Sequence, residues 1–91
     1  MENRGTKLWM FVGDFYGVYE ITNVYYNSYD IKYELCTIVG PEVKQIYVPI
    51  GTNLNEMYEL ETFNHYMGGP YTLVTSNEQL ALDWITHLEE K

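Results

Sequence analysis

Ile31-Lys32-Tyr33-Glu34-Leu35-Cys36-Thr37-Ile38-Val39 alternates apolar and polar side chains over its first five positions and then turns apolar up to Gly40-Pro41. A period of two puts Ile31, Tyr33 and Leu35 on one side of an extended chain and Lys32 and Glu34 on the other. That predicts a strand with one buried face. Immediately upstream, Val18–Tyr26 alternates in the same way, with Tyr19, Ile21 and Tyr25 on one face and Glu20 and Thr22 on the other. Asn27-Ser28-Tyr29-Asp30 supplies turn chemistry between the two runs. Downstream, Gly40-Pro41-Glu42 breaks the pattern and Val43–Val48 resumes it, ending at Pro49.

Further out, Lys7–Val12 reads as a first strand with Trp9 and Phe11 on one face and Met10 and Val12 on the other. Gly13-Asp14-Phe15-Tyr16-Gly17 is a hairpin connection, with glycine free to take turn angles that other residues avoid. Four successive strands joined by short turns predict an antiparallel meander. Tyr71–Thr75 reads as a fifth strand. Thr52–Met67 is open to two readings. Leu54, Met57, Tyr58 and Glu61 fit helical spacing between a Thr52 or Asn53 cap and a Gly68-Gly69-Pro70 stop, but Thr62, Phe63, Asn64, His65 and Tyr66 are weak helix formers. A short helix decaying into a loop is expected there, with an extended hairpin as the alternative.

The last segment is the most sharply patterned. Ser76 opens a capping pattern with Gln79 three residues on. Leu80, Ala81, Trp84, Ile85 and Leu88 then recur at helical spacing, with Glu78, Gln79, Asp83, Thr86, His87 and Glu90 on the opposite face. The expected fold is α+β: residues 1–91 form one domain, an antiparallel sheet of about four or five strands with a C-terminal amphipathic helix docked on it through Trp84.

Composition limits the function. The apolar fraction of 46% supports a packed core, and ten tyrosines favour β structure. A lone cysteine, Cys36, has no partner for an intrachain disulfide. It lies in the apolar run Leu35–Val39 without a cationic neighbour, and is expected to be a buried structural thiol. No apolar run approaches the ~20 residues needed to span a bilayer, and Leu8–Val12 is too short for a signal sequence. A cytoplasmic location is expected, with no membrane association.

Few features point to chemistry. Gly13–Gly17 and Gly68-Gly69-Pro70 lack the lysine and spacing of a phosphate loop. One cysteine and two distant histidines, His65 and His87, do not make a zinc set, so no metal and no cofactor are expected. Carboxylate pairs such as Glu59 and Glu61 carry little weight among thirteen acids, and the chain is expected not to be an enzyme. A small-ligand pocket near His65 and Cys36 is a lesser alternative. Tyrosines can stack bases, but no basic stripe accompanies them, so direct nucleic-acid binding is not expected.

Charge is the strongest global signal. Thirteen Asp and Glu stand against five Lys and Arg, for a net charge of −8. Arg4, Lys7, Lys32 and Lys44 all precede Gln45, and the fifth base is Lys91; from Gln45 to Glu90 there is no Lys or Arg, whereas Glu56, Glu59, Glu61, Glu78, Asp83, Glu89 and Glu90 all fall there. Such a field repels nucleic acid and anionic membranes and attracts basic surfaces. Solubility alone accounts for surplus acid in many small proteins. The long segment without a base, and Glu89 and Glu90 set against the helix dipole, suggest a further purpose.

Glu56, Glu59, Glu61, Asp83 and Glu90 are therefore the candidate electrostatic surface, with Tyr58 and Tyr66 as anchors of the kind that carry protein interfaces. In size, acidity and tyrosine content the chain is similar in kind to phage-encoded inhibitors of host defence or host enzymes, and to immunity and antitoxin proteins that neutralise a basic nuclease. The likeness is one of composition and transfers no residue. The expected function is that of a small acidic inhibitor or neutraliser, imitating nucleic acid and blocking a basic, nucleic-acid-handling host protein. An assembly subunit pairing through a sheet edge is the alternative.

Overall fold

The structure, a computed structural model, describes residues 2–60 and 72–90. Six strands, β1 (Lys7–Val12), β2 (Phe15–Tyr26), β3 (Asp30–Val39), β4 (Gln45–Pro49), β5 (Tyr58–Glu59) and β6 (Thr72–Thr75), form one curled antiparallel sheet in the order β4-β3-β2-β1-β6-β5. Among the described residues there is one helix, α1 (Glu78–Glu89), which follows β6. The expected meander is present as β1 to β4, and β6 and β5 extend the sheet from the other side of β1.

Two apolar clusters follow from the alternation along β1. Leu8 and Met10 face the concave side and are fully buried with Tyr19, Ile21, Tyr33, Ile46, Val48 and Val74. Trp9 and Phe11 face the convex side, where Ala81, Trp84, Ile85 and Leu88 of α1 cover them. Trp84 meets Phe11 edge-on, with ring centroids 6.4 Å apart, the geometry that aromatic quadrupoles prefer. The helix therefore docks through Trp84 as its spacing predicts. Leu80 does not join the contact and stays 37% exposed, because it lies on the flank of the stripe. The cap is Asn77 and not Ser76: the Asn77 side chain accepts from the Leu80 amide at 3.2 Å. The Ser76 amide instead donates to the Leu54 carbonyl at 2.7 Å.

That last bond helps to decide the ambiguous segment. Leu54 plugs the concave side, and its carbonyl accepts from both the Ser76 amide and the Thr75 hydroxyl, the latter at 3.0 Å. A carbonyl held from across the molecule is not free for a helical turn. Residues 52–60 accordingly contain turns and the two-residue β5, which pairs with β6, and not the short helix expected from the spacing of Leu54, Met57 and Tyr58. This strand takes the count to six. Residues 61–67 of the same segment lie outside the described residues.

The β1–β2 connection is tighter than its five-residue motif suggests. Val12 already pairs with Phe15, leaving Gly13 and Asp14 as the loop, and Gly13 takes the positive φ that a two-residue hairpin needs. β2 is interrupted by a bulge between Ile21 and Asn23. One extra residue reverses the alternation beyond it. Tyr19 and Ile21 are buried, but Val24 takes the next inward place and Tyr25 turns outward, 48% exposed. Cys36, opposite Glu20, also faces outward and is exposed instead of buried.

Candidate protein-binding surface

The register of β1, β6 and β5 places a lateral row on the convex side: Phe11 opposite Leu73, and Leu73 opposite Glu59. Glu59 thus ends a row that begins in the second apolar cluster, and α1 lies over that row. Met57, two residues before it, packs into the same cluster as Trp84 and Ile85. The β5 edge and the helix are therefore neighbours, which brings the two acidic elements of the sequence to one side of the sheet. The helix starts beside the Trp9–Thr75 pair and ends beside Gly13, since Leu88 and Gly13 line one depression.

Glu56 and Glu59 are exposed, as are Asp83 and Glu90. Asp83 and Glu90 project from the helix on the side away from Ala81, and Asp83 accepts a hydrogen bond from Gln79 at 2.9 Å. Glu90 is the C-cap, with its amide donating to carbonyls of the last turn. Its carboxylate and that of Glu89 stand at the negative end of the helix dipole. Glu61 and Tyr66 lie outside the described residues. Tyr58 is a poor anchor: opposite Val74 it points inward and packs against the concave core, half-buried.

The bases are elsewhere. Lys32 pairs with Glu34 at 3.9 Å and Lys44 with Glu42 at 3.6 Å, both on the β3–β4 side. Lys32 also sits 4.6 Å over the Tyr25 ring, and Glu34 accepts from Asn23 and Tyr25. Lys7 is opposite Glu20, and Arg4 borders the same residue. Among the described residues, none of these cations reaches Glu56, Glu59, Asp83 or Glu90. Among the described residues, the lysines and Arg4 lie on β3–β4 and around the start of β1, and β5 and α1 carry carboxylates and no Lys or Arg.

Between β5, α1 and the β1–β2 loop lies a depression of about 270 Å³ lined by Phe11, Gly13, Asp14, Glu59, Leu73, Trp84 and Leu88. Its walls are apolar apart from the two carboxylates. The Trp84 indole N–H is buried without a hydrogen-bond partner among the described residues, a cost of roughly 1–3 kcal/mol at this wall. No signal in the sequence reveals this site, since Phe11, Glu59, Leu73 and Trp84 come from four elements. A second, broader depression of about 660 Å³ runs past Cys36, Glu34, Glu42 and Lys44, while His65 lies outside the described residues. His87 is exposed and stacks obliquely on Trp84 at 5.3 Å. Among the described residues, no helix is long and apolar enough to cross a membrane, and no group of three or more His, Cys, Asp or Glu is placed to hold a metal ion.

Comparison with protein-family profiles, with curated proteins and with solved structures yields no match.

Proposed function

We propose that the chain is a protein-binding inhibitor or neutraliser whose β5–α1 side engages a basic, nucleic-acid-handling protein. The observation that carries this is the segregation of charge. Glu56, Glu59, Asp83 and Glu90 share a side that no lysine or arginine of the described residues reaches, and the ion pairs lie across the sheet. Carboxylates on a rigid strand edge and helix present fixed negative charge to solvent, as phosphates do along a nucleic-acid backbone. Such an array speeds encounter with a basic channel and sets its register. A chain of this kind occupies the channel without being a substrate for it.

The test is affinity capture from a host lysate, followed by competition with duplex DNA. A basic partner, released by salt and displaced by DNA, is expected. A neutral or acidic partner, or a complex indifferent to both, contradicts the proposal.

Self-association through a sheet edge has its own observation: among the described strands, β4 lies at one edge of the sheet. That strand is five residues long, follows Lys44 and ends at Pro49, and β5 at the other edge has two residues. Short edges, lysine and proline all discourage strand addition. Mass rising with concentration in the absence of a partner would favour assembly over inhibition.

A further inference from the structure

We infer that the depression between β5, α1 and the β1–β2 loop is a socket for one arginine side chain of the basic partner. The inference rests on the proposed binding function and locates its anchor. The floor is Phe11 and Leu73 and the wall Trp84 and Leu88, with Glu59 and Asp14 at the rim. Size is the first argument: about 270 Å³ falls below the roughly 300–1,000 Å³ of pockets that enclose drug-sized ligands. It suits a single side chain.

Chemistry is the second argument. An arginine that lies along the groove rests its aliphatic stem on the apolar lining and keeps its guanidinium on the solvent side, beside the Glu59 and Asp14 carboxylates and the Trp84 ring. Glu59 is exposed, with no ion pair among the described residues. The negative end of α1 lies at the same end of the groove, where Leu88 meets Gly13, and adds to the attraction for a cation. Arginine fits better than lysine, because a planar guanidinium spreads over an aromatic face and donates in a fork to carboxylates.

The probe is N-acetylarginine amide, added to the protein while the Trp84 indole N–H signal is followed by NMR and assigned by its loss in Trp84→Phe. The expected result is a saturable shift of that signal at millimolar probe. N-acetylcitrulline amide, of the same shape but uncharged, should bind at least about tenfold more weakly. Glu59→Gln should weaken the arginine probe to a similar degree, while Glu20→Gln, with the same change in net charge, should not. An unmoved Trp84 signal, equal response to citrulline, or equal loss in both variants overturns the socket. An arginine-rich peptide run on the same sample separates the two levels. Shifts at Asp83 and Glu90 without Trp84 overturn the socket alone and leave the acidic-face proposal intact, and shifts at neither count against both.

Discussion

Tyr19 is sealed under the curl of the sheet, and its hydroxyl donates to the Pro41 carbonyl at 2.6 Å. Burial raises its phenolic pKa above the ordinary value of 10.0. Burial also dominates at Tyr33, raising its pKa against the smaller lowering effect of a hydrogen bond from the Glu2 amide. On unfolding these tyrosines release their protons at lower pH than in the folded state. Their contribution to stability is therefore intact below about pH 10 and is lost as pH rises through the folded values. The urea midpoint should fall as pH rises above about 10, and less so in Tyr19→Phe; equal falls would contradict the assignment. Gly17 marks the same tight corner. A Cβ there would stand 2.7 Å from the Tyr19 ring, and one on Gly40 would stand 2.8 Å from Gly17 Cα. Gly17→Ala should cost about 1–3 kcal/mol in chemical denaturation, whereas no loss would mean that the ring can move aside. Side-chain burial is legible residue by residue only while alternation runs unbroken. Ile31, Tyr33 and Leu35 follow it, but Tyr25 does not, because the bulge after Ile21 inverts everything downstream and nothing in Ile21-Thr22-Asn23 announces it. Cys36 misleads for another reason: an apolar neighbourhood in sequence is not one in space.

Among the elements, α1 is the one whose period speaks most clearly, since a helix repeats its buried face every three to four residues and Ala81, Trp84, Ile85 and Leu88 all comply. Its cap is legible only to within a residue, because Ser76 and Asn77 are both good caps and tertiary hydrogen bonds choose between them. Asn77 also donates to the Asn55 carbonyl at 3.2 Å, tying the helix start to the loop before β5. Asn77→Ala should therefore lower stability by about 1–2 kcal/mol, measured by denaturation, with Ser76→Ala costing less. The reverse order would contradict this capping assignment. β5 was beyond reach because two residues carry no period. Its existence depends on β6 offering an edge and on Leu54 and Leu60 filling the concave side, which are long-range facts.

Over the whole molecule, the division of charge is already written in the sequence as forty-six residues, Gln45 to Glu90, without lysine or arginine. The fold adds what the order of residues does not contain. The start of β5 and α1 meet on one side because Met57, just before β5, and the helix both pack on the cluster around Phe11, and the lysines of β3–β4 are occupied with Glu34 and Glu42. Of the candidate acids, Glu59 comes to border the depression beside Trp84. Tyr58, an anchor by residue type, is spent on the core, and exposed apolar side chains such as Phe15 (77%) and Tyr29 (82%) lie at hairpin ends.

Affinity for an arginine-rich peptide, measured across a salt series from about 50 to 200 mM in two triple variants of equal net charge, tests the segregation most directly. Glu56→Gln, Glu59→Gln and Glu90→Gln together should lower affinity at low salt by roughly tenfold or more and flatten the salt dependence. Glu2→Gln, Glu20→Gln and Glu42→Gln together should leave both close to the parent. Equal losses in the two variants would mean that only total charge matters, and would contradict a binding side built by β5 and α1.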